Sequence, residues 1–397
     1  MFAPFMLSRR VSIEPLSPRA RPESLKLLFT NFHDGDGGGH TTYILRLAEA
    51  LAARHEVHVA APPGSRLLRE AGCLPGVHAI GQPFPNGFQR LASRWRARRR
   101  LAAWLRAHPV DVVHVNGSAD HRLVMAARHG MARPPKIVLT KHNSKPMTGI
   151  GHRWRARCGT DRVIAVCDYT RRALMTSPYR RCRPVTVHNG VDLAHFSPWP
   201  ATSAQREREH WLRGASGLLL GSNAGSAAYK GWQDLVEAVA LLPLPQRERV
   251  HLLIAGQPPS PAAQQRIDAL GLASQVHFPG LLQDVRPAIA GIDAGFVLSW
   301  DVETISFACR EMMAMGKPVL VTDYAGLPEN IRPGVDGWCV PPRDPARLAQ
   351  QLEQLLQLQA QLPAMGAAAR RHAERDFGLP RFVERTEAVY RELLAGD

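Results

Sequence analysis

The 397-residue chain contains no run of about 18 apolar residues, so a membrane-spanning helix is not expected. Nor is a secretory signal expected from its opening residues. Residues 1–23 carry Arg9, Arg10, Arg19 and Arg21 with several prolines, without an apolar core followed by a small-residue cleavage site. They read as a loose extension. The six cysteines, Cys73, Cys158, Cys167, Cys182, Cys309 and Cys339, include no Cys-x-x-Cys pair and no metal-like grouping with histidine. Scattered thiols in a long chain fit a reducing compartment, which points to the cytoplasm. Acidic residues are scarce in one half only. Residues 1–200 hold 31 Lys and Arg against 12 Asp and Glu, whereas residues 201–397 hold 19 against 22. The formal charge of +16 therefore belongs to the first half, the expected face for an anionic partner. No recognised nucleic-acid motif accompanies it, so nucleic acid is not an expected partner.

Short runs rich in Val, Ile and Leu alternate with helical spacing. Strands are expected at Leu25–Asn31, Glu56–Ala61, Asp111–Asn116, Lys136–His142, Arg162–Val166 and Pro184–Asn189, with helices such as Thr41–Arg54 and Arg90–Ala107 between them. The pattern restarts with Gly217–Asn223, Val250–Gly256, Gln275–Pro279, Asp293–Ser299 and Pro318–Asp323. Helices such as Trp232–Leu242, Ala262–Leu270 and Ser306–Met315 separate these. Continuously apolar strands between helices indicate parallel sheets covered on both faces. The expected fold is α/β, with two Rossmann-like doubly wound domains facing across a cleft. The boundaries read as 24–196 for the first domain, 197–214 for a linker of poor periodicity and 215–380 for the second domain. Residues 381–397 are expected to form a helix that packs back on the first domain. Ligands of such sheets lie beyond the carboxyl ends of the strands.

The segment richest in chemistry is Glu303-Thr-Ile-Ser-Phe-Ala-Cys-Arg-Glu311, followed by Met-Met-Ala-Met-Gly316-Lys-Pro318-Val and Gly326-Leu-Pro-Glu329. A strand ends near Trp300 and a helix starts near Thr304 or Ser306. A helix start offers unpaired N–H groups and the positive end of the dipole, which suits a diphosphate. A carboxylate does not bind phosphate, but it accepts hydrogen bonds from two neighbouring hydroxyls of a sugar. Glu303 just before the helix and Glu311 two turns into it therefore suit a ligand that is part phosphate and part polyol.

Glutamate, seven residues, glutamate, then Met-Ala-x-Gly-x-Pro-Val and Gly-x-Pro-Glu, resembles retaining glycosyltransferases of the GT-B fold, family 4 type, which include bacterial cell-surface polysaccharide and lipopolysaccharide sugar transferases. Further matches lie in the expected order over about residues 25–395. They are Gly37-Gly38-Gly39 after the first strand, Val138-Leu-Thr-Lys-His142, Val163 to Thr170, His188-Asn-Gly-Val-Asp192 with Phe196-Ser-Pro198, and Tyr229-Lys230-Gly231. The resemblance implies that Glu311 binds the donor ribose. It implies that Glu303 and the backbone near Thr304, Ile305, Ser306 and Phe307 hold the sugar and diphosphate, with Asn223 a donor-side contact or simply a turn former. Lys230 would neutralise the leaving diphosphate without a metal, and no cofactor is expected. His142 would touch the sugar or assist at the reacting carbon. Gly37, Gly38 and Gly39 would let the backbone approach the donor phosphate or the acceptor.

Two positions depart from the family pattern. No arginine lies between Gly214 and Lys230, where the family usually has one to partner the lysine on the phosphates, and Thr304 stands where glycine commonly follows the first glutamate. Either Lys230 and the helix start act alone, or an arginine from elsewhere reaches in. The glycine run is not a dinucleotide fingerprint, which needs a glycine near Thr42. His33, Asp34 and Asp36 read equally as acceptor contacts or as a solvated polar loop. The helix from Arg90 to Arg106, with Arg94, Arg96, Arg98, Arg99, Arg100, Trp95 and Trp104, is either a solvated charged face or a surface resting on anionic lipid, joined by Arg153, Trp154, Arg155 and Arg157. The whole reads as transfer of a sugar, with retention, from a nucleoside-diphosphate sugar (UDP-sugar favoured) to a hydroxyl of a lipid-linked or cell-surface glycan acceptor. The transferred unit would be a hexose or an N-acetylhexosamine, and the protein would rest peripherally on the inner face of the cytoplasmic membrane. A non-catalytic binder of nucleotide sugars or polyanions is the rival.

Overall fold

The computed structural model describes residues 24–35, 37–87 and 90–396. The extension 1–23 and Asp36 lie outside the described residues. The first sheet contains β1 (Lys26–Thr30), β2 (Glu56–Ala61), β3 (Val77–Gly81), β4 (Val112–Val115), β5 (Lys136–Lys141), β6 (Arg162–Ala165) and β7 (Val185–Thr186), in the order β3-β2-β1-β4-β5-β6-β7. The second contains β8 (Leu218–Ser222), β9 (Val250–Ile254), β10 (Val276–His277), β11 (Ala294–Val297), β12 (Val319–Thr322) and β13 (Gly337–Val340), in the order β10-β9-β8-β11-β12-β13. Every pairing is parallel. Strand order reverses beside β1 and β8, and a crevice opens at such a reversal beyond the strand ends. Central strands such as β4 and β9 are buried at every residue, because helices cover both faces of each sheet.

Two of the four edge strands, β3 and β13, carry weak sequence signals. β3 buries Val77 and then exposes two consecutive residues, and β13 opens on a glycine. The segment 197–214, read as a linker, instead contains the helix Ala201–Leu212, which packs on the helix Arg286–Gly291 of the second domain. Its inward face is made by Leu212, Trp211 and Ala204, too sparse a stripe to show as periodicity.

The chain crosses between domains twice, and the crossings pair. Val191 N donates to Phe377 O at 2.8 Å and Leu379 N donates to Val191 O at 3.0 Å. The terminal helix Leu379–Ala395 then lies on the first sheet, where Phe382, Val383, Val389 and Tyr390 join the core around Tyr43 and Leu47. Ile305 of the second domain also packs with Val166 and Cys167 of the first, so the domains share an apolar contact as well as a cleft.

Candidate functional site

Five strands of the two sheets deliver their carboxyl ends to one cleft of about 710 Å³. β1 leads to Gly37 and Gly39, β4 to Asn116, β5 to His142, β8 to Asn223 and β11 to the turn that carries Glu303. Of the residues singled out in the sequence, His142, Lys230, Glu303, Thr304, Ile305, Ser306, Phe307, Glu311, Asn223, Gly37 and Gly39 all border this cleft. Gly38 does not. It begins the helix Gly38–Ala52 at φ +49° in open space, so its glycine serves the backbone turn rather than a close approach.

Glu303 follows Val302, a β-branched residue at φ +60°. Such a conformation costs on the order of 1–3 kcal/mol and marks a turn over-determined by its surroundings. The turn brings Glu303 Oε2 to 2.6 Å from Lys230 Nζ, a largely buried ion pair. Ser306 caps the next helix, Phe307–Ala314, its hydroxyl accepting from Cys309 N at 3.4 Å. The cap uses that hydroxyl as an acceptor and leaves its O–H to donate. Glu311, two turns up, accepts from Asn223 Nδ2 at 2.7 Å and lies 3.8 Å from Arg46 of the first domain. Burial pushes its carboxyl up, while Arg46 and Asn223 pull it down.

Lys230 owes its place to the glycine after it. Gly231 has φ +72°, and a Cβ there would sit 2.0 Å from Leu298 O, in the strand end that leads to Glu303. Gly231→Ala is therefore expected to destabilise the protein by about 2–4 kcal/mol and to part Lys230 from Glu303. Thermal unfolding checks it; an unchanged Tm would contradict the packing argument.

The first domain supplies a neutral wall. His142 packs against His40, with ring centroids 4.3 Å apart, and against Tyr43 in a T-shaped contact at 4.6 Å. Burial lowers His40 to about 4 and holds His142 well below the usual imidazole value; His33 is also lowered. The walls are linked by Thr304 Oγ1, which donates to His142 O at 2.7 Å, and by Ser144 and Tyr324, whose hydroxyls are 3.1 Å apart. Glu329 of the Gly-x-Pro-Glu motif is outside the cleft. It accepts from Asp168 N at 2.7 Å and Tyr169 N at 2.6 Å, so the second domain caps a helix of the first.

Lys230 is the one lysine or arginine among the described residues lining the cleft. No arginine lines it in place of the one missing after β8, and Arg46 pairs with Glu311 instead. Sequence reasoning missed Arg46, His40 and Asn116. His40 directly follows the glycine run and Asn116 ends a strand, so strand-end position was a usable signal for both. Arg46 lies mid-helix and has none.

The family model for Glycosyltransferase Family 4 matches residues 37–195, and that for Glycosyl transferases group 1 matches residues 218–358. A phosphatidyl-myo-inositol mannosyltransferase of Mycobacterium leprae is 29% identical over 345 residues, covering 84% of this chain and 88% of that protein. The crystal structure of a glycosyltransferase from Rickettsia africae aligns with TM-score 0.80 at 19% identity, covering 94% of this chain and 99% of the other. Anabaena HepE in complex with UDP aligns with TM-score 0.76 at 18% identity, covering 92% and 99%. Both share the arrangement of two Rossmann-like domains. The chain belongs to the family 4 type of glycosyltransferases and has the GT-B fold.

Proposed function

We propose that the protein transfers a hexose or N-acetylhexosamine, without a metal and with retention, from a nucleoside-diphosphate sugar to a hydroxyl of a lipid-linked or cell-surface glycan. The carrying observation is the convergence of Lys230, Glu303 and Glu311 on one helix start in the cleft. Glu311 takes the ribose hydroxyls. The N–H groups at the start of the helix Phe307–Ala314, with Lys230, take the diphosphate, and Glu303 and His142 bracket the sugar. Developing charge on the leaving diphosphate strengthens its bond to Lys230, and that diphosphate helps to deprotonate the acceptor on the same face. UDP is the favoured nucleotide, supported by the UDP complex of HepE. The test is a panel of nucleotide sugars, followed by thermal shift and by release of free nucleoside diphosphate. Stabilisation by one donor with slow diphosphate release is expected; binding without any release supports a binder instead.

A membrane-facing acceptor fits the first domain. The helices Leu91–Ala107 and Ile150–Cys158 flank the helix Ser118–Arg128, and they expose Ile150 at 85% and Trp95 and Trp154 at 55% each. Burial lowers the pKa of Arg122 on the middle helix, and Arg155 and Arg94 on the two flanking helices lower it further, so the three helices share one field. Arg155 is not part of this surface. It is buried and bonded to His152 and to Gly151 O, an inward turn imposed by its place on the helix's packed side. No described helix is long and apolar enough to cross a membrane. Wild-type protein is expected to float with phosphatidylglycerol vesicles at low salt and to lose this as salt rises. Trp95→Ala with Trp154→Ala should reduce flotation several-fold; equal binding to neutral vesicles would contradict the assignment.

A further inference from the structure

Asn116 is buried at the end of β4, and its amide orientation is fixed by its neighbours. Nδ2 lies 3.2 Å from both Thr30 O and His114 O. Two carbonyl oxygens only accept, so the NH2 group must face them and Oδ1 must face the other way. Oδ1 is 2.9 Å from His142 Nε2. Since that oxygen also only accepts, Nε2 carries the proton. The main chain of Asn116 is held as well, its N–H donating to Asp120 Oδ2 at 2.9 Å. A neutral imidazole with its proton on Nε2 has its lone pair on Nδ1. The ring borders the cleft, His40 and Tyr43 pack against it, and Nδ1 has no hydrogen-bond partner among the described residues.

We propose that Asn116 is a positioning residue that locks His142 as a hydrogen-bond acceptor, so that the cleft selects a sugar presenting a free hydroxyl to Nδ1. This rests on the reading of the cleft as the donor site. It assigns His142 a polarity that family position does not supply: the residue receives a proton in a hydrogen bond and gives no positive charge to the phosphates. The surroundings agree from each element. Burial disfavours a charged ring most, and any charge on His40 of the first helix, His114 on β4, Lys141 on β5 or His33 in the glycine-run loop adds to that. From the second domain, Thr304 meets only the carbonyl of His142.

Long-range 1H–15N correlation on the full chain labelled at histidine reads the tautomer without any ligand, with His142 assigned by loss of its signals in His142→Gln. The expected result is the Nε2–H tautomer near neutral pH, with the Nδ1 resonance shifting when saturating UDP-glucose, or whichever nucleotide sugar the panel selects, is added. An Nδ1–H tautomer or an imidazolium in the wild type overturns the proposal. Two variants extend the test. Asn116→Leu should lose about tenfold in kcat/KM with UDP affinity unchanged, because UDP lacks the sugar. Asn116→Asp, if it folds, should raise the pKa of His142 and add an acid limb to the pH profile of kcat. Equal loss of UDP and nucleotide-sugar affinity in Asn116→Leu would assign Asn116 a merely structural role. An Nε2–H tautomer in a protein that binds no nucleotide sugar would leave the lock standing and remove the donor reading.

Discussion

Lys230→Ala is expected to lower kcat by about 10²–10³-fold while a nucleotide still binds. Lys230 is the sole lysine or arginine among the described residues lining the cleft, so no neighbouring cation there takes over the leaving diphosphate. The loss has a second component. Without the lysine, the largely buried Glu303 carboxyl is left with no ion partner and faces the incoming phosphates. Lys230→Ala with Glu303→Gln should therefore recover donor affinity relative to Lys230→Ala, but not rate. Lys230→Arg should retain more activity than Lys230→Ala, since it keeps the charge. Steady-state kinetics beside titration with UDP separate the two components. Full activity in Lys230→Ala would contradict the role assigned to the ion pair.

Glu311→Gln is expected to weaken UDP binding by about 10–100-fold, the value of hydrogen bonds to a charged group. The loss should shrink for an analogue lacking the ribose hydroxyls, because variant and analogue remove the same contacts. The effect also carries a pH signature. Burial raises the pKa of Glu311 above the ordinary carboxylate value, and only the ionised form accepts from both hydroxyls. Affinity is thus complete above that raised pKa and is lost as pH falls through it. Glutamine has no such proton, so the acid limb should flatten in Glu311→Gln. Calorimetric titration between mildly acidic and neutral pH checks both statements; parallel profiles for wild type and variant would place the ribose elsewhere.

Much of this arrangement was legible in the sequence because the second domain writes its site locally. Glu303, Ser306 and Glu311 fall within nine consecutive residues, so helix spacing and cap chemistry place them together. Parallel strands also announce themselves: β12, Val319–Thr322, falls within the expected Pro318–Asp323, since a strand covered on both faces is almost continuously apolar. What stayed hidden depends on approach between distant segments. Arg46 reaches Glu311 across 265 positions and Asn116 reaches His142 across 26, and neither residue type is distinctive by itself. Glu329 fits a motif, yet its cap on a helix of the other domain has no local trace. The helix in 197–214 escaped for the opposite reason, a buried stripe of only a few residues.

The central claim is that the cleft between the two sheets is the donor site, organised by Glu311, Lys230 and the helix start at Phe307. A crystal structure with the nucleoside diphosphate selected by the panel tests it most directly. The expected complex has the ribose hydroxyls on the Glu311 carboxylate, and the diphosphate at the first N–H groups of Phe307–Ala314 within ion-pair distance of Lys230. A nucleotide bound away from Glu311, or with its diphosphate turned from Lys230, would contradict it.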